Sequence, residues 1–246
     1  MRDGLVYSRN IVTIKLLRET GVTPVIKLAR QFGVNSPLSD NLSLALGSSD
    51  VSLLELTAAY TVFGRGGYYV APRFINKIID RNGVVLEENE IKPQKVLDER
   101  VAFQITHLLQ SVIDEGTGSR ARGLEAQAAG KTGTTDNNMD AWFIGYTPSL
   151  AAGVWIGFDQ KISLGEKETG GIIAAPVWRD FMGKAGTGNT GGTFRVPEGI
   201  TFLPMNAATG EIVDNETGNI TWEAFRNDNL PRATSTDPAL PDDTQN

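Results

Sequence analysis

Residues 129–158 constrain the fold of this chain more than any other segment. Ala141-Trp142-Phe143-Ile144-Gly145-Tyr146 and Ala151-Ala152-Gly153-Val154-Trp155-Ile156-Gly157-Phe158 are aromatic and β-branched, with Thr147-Pro148-Ser149 between them. That pattern predicts two antiparallel strands joined by a turn. Just before them, small apolar residues run into Ala129-Gly130-Lys131-Thr132-Gly133-Thr134-Thr135. Taken alone, this is a polar loop with a helix-stop glycine, but its surroundings are strand-like. A strand ending in Lys-Thr-Gly-Thr also has a chemical use. Its ammonium attracts a carboxylate and two hydroxyls hydrogen-bond it. The glycine admits a ligand close to the backbone, and the next N–H can face a developing oxyanion.

Most of the remaining pattern is helical. Ile11, Val12, Ile14 and Leu16 place apolar groups on one side of a helix over residues 10–19, which Gly21 ends. Thr23-Pro24 opens a second helix carrying Val25, Leu28, Ala29 and Phe32, closed by Gly33. Residues 51–63, 98–114 and 174–182 read as further helices, the second with Val101, Ile105, Leu108, Leu109 and Val112 at helical spacing. Residues 74–88 read as a β-hairpin turning at Asn82-Gly83. A Gly/Thr/Asn stretch over 183–192 reads as a linker. Residues 231–246 hold three prolines and three aspartates with almost no apolar content, the composition of a disordered tail. The expected organisation is one domain over residues 1–195, a C-terminal extension over 196–230 and the tail over 231–246.

Composition excludes several classes of function. Of 246 residues, 23 are basic and 29 acidic, a net charge of −6 that argues against a nucleic-acid binder. There is no cysteine, hence no disulfide, thiol nucleophile or thiolate metal site. The single histidine, His107, falls on the helix face away from the predicted core and reads as a solvated side chain. Neither a metal nor a cofactor is expected. No apolar run is long enough to cross a bilayer, and Met1-Arg2-Asp3-Gly4 opens no signal-peptide core. Two common motifs fail on context. Gly130-Lys131-Thr132 lacks the earlier P-loop glycine, since position 125 is Glu125. Gly116-Thr117-Gly118-Ser119-Arg120-Ala121 has dinucleotide-loop spacing but follows a helix.

Ser8-Arg9-Asn10 stands at a helix start, where Ser8 or Asn10 can act as an ordinary N-cap. Beside Lys131-Thr132-Gly133 it has a second meaning: a proton-relaying hydroxyl and a carbonyl-holding amide are two corners of a serine acyl-transfer site.

With these motifs the chain resembles the C-terminal part of the transpeptidase domain of class A, bifunctional penicillin-binding proteins. The likeness includes Leu44-Ala45-Leu46-Gly47-Ser48, Glu55-Leu56-Thr57-Ala58-Ala59-Tyr60, Gly116-Thr117-Gly118, Asp140-Ala141-Trp142-Phe143 and Ala174-Ala175-Pro176-Val177-Trp178, all in the family's order. It implies an α/β fold of the α+β type: an antiparallel sheet flanked by helices, the penicillin-binding transpeptidase and serine β-lactamase architecture, incomplete at its N-terminus. It also implies roles. Ser8 passes a proton, Asn10 holds the substrate amide, and Lys131 supplies positive charge. Thr132 and Thr134 bind the substrate carboxylate, with Gly133 between them and the Thr134 N–H in the oxyanion hole. The family's third motif, Ser-x-x-Lys, supplies the nucleophile, and no serine of this sequence has a lysine three residues on. The chain alone is therefore expected to be inactive, and Met1, inside the matching region, marks it as a piece of a longer frame.

The resemblance implies peptidoglycan cross-linking by D,D-transpeptidation. Stem peptides and β-lactam antibiotics are the expected partners. The expected place is the extracytoplasmic face of the bacterial cytoplasmic membrane, with glycosyltransferase and membrane anchor elsewhere in the parent. A D,D-carboxypeptidase or β-lactamase on the same fold, and a non-catalytic binding or sensor domain using the same groove, are the alternatives.

Overall fold

The computed structural model describes residues 1–185, 192–213 and 219–231. The chain runs α1 (Arg2–Val6), α2 (Asn10–Thr20), α3 (Val22–Gln31), α4 (Leu53–Gly64), β1 (Tyr68–Tyr69), β2 (Lys77–Ile79), β3 (Val85–Glu88), β4 (Gln94–Lys95), α5 (Glu99–Asp114), β5 (Ala129–Thr134), β6 (Asp140–Tyr146), β7 (Ala151–Gly157), α6 (Ala175–Ala185), β8 (Ile200–Asn206) and β9 (Ile220–Arg226). It divides into two compact units, Met1–Pro197 and Glu198–Asn246. In the second, β8 and β9 pair antiparallel over seven registered positions from Ile200↔Arg226 to Asn206↔Ile220. Of the expected linker over 183–192, residues 183–185 belong to α6 and 186–191 lie outside the described residues, as does all but the first residue of the expected tail.

The first unit is built on an antiparallel meander, β5-β6-β7. Lys131 pairs with Ile144 and Thr132 with Phe143, while Trp142 pairs with Trp155. Alternation along β6 sends Phe143 to one face, where it meets Trp178 of α6 at a ring separation of 5.0 Å. Trp178 is fully buried and its indole N–H donates to the carbonyls of Gly145 (3.3 Å) and Ala152 (3.0 Å). Gly145 has to be glycine at this crossing, because a Cβ there would lie 2.7 Å from the Trp178 ring. Ile113, Ala121, Ala174, Ala175 and Met182 complete this core. On the other face α4 crosses β7 closely: a Cβ at Gly153 would lie 2.1 Å from Thr57 Oγ1.

A second apolar cluster joins Phe32 and Val34 to Ala59 and Val62. Ser52 and Glu55 start α4 with a reciprocal capping box.

Several sequence expectations shift in detail. On α2 only Leu17 is buried; Val12, Ile14 and Leu16 are half-buried and Ile11 is 70% exposed, so the predicted apolar side is partly covered. On α5 the buried residues are Ala102, Phe103, Thr106, Leu109, Ser111, Val112 and Ile113; Val101, Ile105 and Leu108 are half-buried. Thr106 is buried with its hydroxyl satisfied, donating to the Ala102 carbonyl at 2.9 Å and lying 2.9 Å from the Tyr146 hydroxyl. His107 is half-buried and stacks on Phe103 rather than standing in solvent. The hairpin forms with Asn82-Gly83 in its turn and Gly83 at φ 84°, but both its strands are exposed. The last helix runs on to Ala185, past the expected end.

Candidate active site

Two distant segments build the site. The first is the α1–α2 corner. Gly4 admits Val12, which a Cβ at Gly4 would meet at 2.6 Å, and the Arg9 N–H donates to the Gly4 carbonyl at 2.7 Å. The tight corner puts Ser8 in the left-handed region at φ 55°, a conformation that costs a non-glycine residue about 1–3 kcal/mol. Neither Ser8 nor Asn10 caps α2; Arg9 holds the N-cap position and no side chain caps the helix.

The second segment is β5. Lys131 Nζ donates to Ser8 Oγ at 2.9 Å across 123 residues of sequence, and to the Thr132 carbonyl at 3.1 Å. Thr132 Oγ1 lies 3.5 Å from the same ammonium. Burial pulls the Lys131 pKa down to about 8. Because Ser8 Oγ accepts from Lys131, its own proton is left to face a ligand.

The remaining predicted residues are placed as follows. Thr132 Oγ1 lies 2.7 Å from Thr117 Oγ1. Gly133 backs onto Trp142, whose Cβ a Gly133 Cβ would meet at 3.0 Å. Thr134 is exposed, and its hydroxyl accepts from the Gly170 N–H at 3.1 Å. Asn10 is solvent-exposed in the first turn of α2, bonded to neither Ser8 nor Lys131. The structure thus joins Ser8, Lys131 and Thr132 in one hydrogen-bonded group and leaves Asn10 beside it.

Sequence reasoning gave no role to Thr117, Gly170 or the Asp140 carboxylate. That carboxylate accepts from Thr135 Oγ1 (2.9 Å) and from Trp155 Nε1 (2.8 Å), fixing the end of β5. The doublet Gly170-Gly171 was the available signal for the first contact: a Cβ at Gly170 would lie 2.2 Å from the Trp142 carbonyl.

A cavity of about 690 Å³ opens along this strand. Lys131, Thr132, Thr134 and Trp142 line it from the sheet, and Leu38 and Tyr60 from the α3–α4 side. Burial raises the Tyr60 phenol to about 12, so it stays neutral. Among the described residues no cluster of three or more His, Cys, Asp or Glu side chains could hold a metal, and no helix is long and apolar enough to cross a membrane.

The site so far is a cationic strand edge facing a strained serine, on a meander backed by a helix. The family model described as the penicillin binding protein transpeptidase domain matches residues 1–183, and the chain belongs to that family. Penicillin-binding protein 1A of Rickettsia prowazekii is 33% identical over 253 residues, covering 94% of this chain and 32% of the relative. Penicillin-binding protein 1A of Aquifex aeolicus is 42% identical over 182 residues, covering 74% of this chain and 25% of the relative. The chain thus spans about a third or less of the length of these curated relatives. The crystal structure of penicillin-binding protein 1A from Haemophilus influenzae superposes with a TM-score of 0.84 at 25% identity, over 94% of this chain and 40% of that one. PonA1 of Mycobacterium tuberculosis in complex with penicillin V gives 0.71 at 25% identity, over 79% and 58%.

Proposed function

We propose that this chain supplies the Lys-Thr-Gly and Ser-x-Asn walls of a serine D,D-transpeptidase site that cross-links peptidoglycan stem peptides and is acylated by β-lactams. The observation that carries this reading is the 2.9 Å contact between Lys131 Nζ and Ser8 Oγ. The ammonium holds the Ser8 oxygen, so Ser8 gives its proton to the leaving nitrogen and takes back the nucleophile's proton from the base of the Ser-x-x-Lys segment. Lys131, Thr132 and Thr134 take the substrate carboxylate, and the Thr134 N–H stabilises the oxyanion. Asn10 holds the substrate amide once a ligand is seated. The nucleophile comes from a Ser-x-x-Lys segment outside this sequence, in a parent that is bifunctional, membrane-anchored and active outside the cytoplasm.

The test is fluorescent-penicillin labelling of a chain carrying this sequence behind such a segment. Covalent labelling with slow hydrolytic release supports the transpeptidase. Rapid release of hydrolysed antibiotic identifies a β-lactamase, and release of terminal D-alanine without cross-linking identifies a carboxypeptidase. Saturable binding without a covalent bond identifies a binding or sensor domain.

A further inference from the structure

Thr117 lies in the turn after α5, 15 residues before Thr132, yet it touches both walls of the site. Its backbone N–H donates to the Val6 carbonyl at 3.2 Å, and Val6 is the fully buried end of α1, two residues before Ser8. Its hydroxyl meets that of Thr132 at 2.7 Å. Its carbonyl is covered by Gly171, where a Cβ would lie 2.4 Å away. The flanking glycines are dictated by the same packing. A Cβ at Gly116 would lie 2.4 Å from the Val6 carbonyl, and one at Gly118 would lie 3.1 Å from the Val112 carbonyl. The turn is therefore fixed on three sides, with one side chain directed at the β5 hydroxyl.

A hydroxyl has one proton and two lone pairs. If Thr132 donates to Thr117, its proton is spent inside the protein. If Thr117 donates to Thr132, the Thr132 proton is free to reach a ligand. The nearby Lys131 ammonium favours the second arrangement, since positive charge beside Thr132 Oγ1 rewards an oxygen that accepts. A carboxylate in the cavity selects it further, because it can only accept.

We propose that Thr117 is a positioning residue that aims the Thr132 hydroxyl at an anionic ligand and, through Val6, holds the Ser8 corner at a fixed distance from β5. This rests on the reading of Thr132 as a carboxylate ligand. The test uses a chain carrying this sequence behind a Ser-x-x-Lys segment. Binding of benzylpenicillin and of its methyl ester is separated from the acylation step by rapid-mixing kinetics. Thr117→Val weakens benzylpenicillin binding about five- to tenfold, the loss of one oriented hydrogen bond, and leaves the ester unchanged. Thr117→Ser restores binding to within about twofold. Thr132→Val shows the same loss, and the double variant loses no more than either alone. Equal losses for acid and ester, or no loss with Thr117→Val while Thr132→Val loses discrimination, overturn the role of Thr117 alone. If Thr132→Val itself keeps full discrimination, the carboxylate role of Thr132 falls and this inference falls with it.

Discussion

Lys131 and Ser8 meet at 2.9 Å from opposite ends of the site, one on a regular strand and the other at a strained helix corner. The strand fixes the ammonium in depth, and the corner supplies an exposed oxygen for it. Neither element has a local reason to seek the other; the α1–α5 packing and the Thr117–Val6 bond bring them together.

The depressed Lys131 pKa carries two pH dependences. Lys131 is cationic below about pH 8 and loses its charge as pH rises through that value. Affinity for an anionic penicillin falls above pH 8, whereas the penicillin methyl ester shows no such limb. Stability moves the opposite way. The unfolded lysine keeps its ordinary pKa near 10.4, so between pH 8 and that value the unfolded state binds more protons and stability rises with pH. Urea titrations of the parent and Lys131→Met at pH 7 and pH 10.5 check this: the parent gains relative to the variant, and parallel curves contradict the buried-ammonium account.

Gly170 is the contact that β5 needs on its outer side. Gly170→Ala places a methyl 2.2 Å from the Trp142 carbonyl and 2.3 Å from the Gly133 carbonyl, so the turn moves off and Thr134 loses its donor. The expected cost is about 1–3 kcal/mol in stability, with about a tenfold loss in penicillin acylation. Gly183→Ala is the control. Its new Cβ comes no nearer than 3.7 Å to Leu124, and in a helix it should stabilise by about 0.5–1 kcal/mol.

The sequence made the meander, the Asn82-Gly83 hairpin and the Lys131-Thr132-Gly133 strand legible, because each is encoded within a short window. It left Thr117–Thr132, Gly170–Thr134 and Asp140–Trp155 unread: these pairs lie 15, 36 and 15 residues apart, and residue spacing alone does not bring them together. The α5 register was misread for a related reason. Thr106 is polar in sequence yet buried, its hydroxyl satisfied by the Ala102 carbonyl and by Tyr146 on a distant strand.

Trp178 is the main tie between α6 and the sheet. Trp178→Ala removes a fully buried indole and two hydrogen bonds, and should cost about 3–5 kcal/mol. Trp178→Phe keeps one aromatic ring but loses the indole N–H and part of the volume, and should cost about 1–3 kcal/mol. Urea midpoints at constant slope are the measurement; equal midpoints for both variants and the parent would remove α6 from the core.

The meander has open edges. Among the described residues β7 has no strand beyond β6, and Trp155 on it and Phe158 just past its end are 38% and 53% exposed. Phe74 (89% exposed) and Leu86 (65%) add apolar surface on the hairpin. The 246-residue chain alone should therefore self-associate. Sedimentation velocity over a concentration series checks this, with a rising mean coefficient as the expected result and one concentration-independent monomer as the contrary one.

The acyl-transfer account is tested most directly by intact mass after incubation with benzylpenicillin. The 246-residue chain alone should gain no covalent adduct, because it holds no Ser-x-x-Lys. Carried behind a Ser-x-x-Lys segment it should gain one penicilloyl group on that serine, at a rate that Lys131→Ala cuts about tenfold to a hundredfold. A stoichiometric adduct on the chain alone, or acylation of the longer form that is indifferent to Lys131→Ala, contradicts the account.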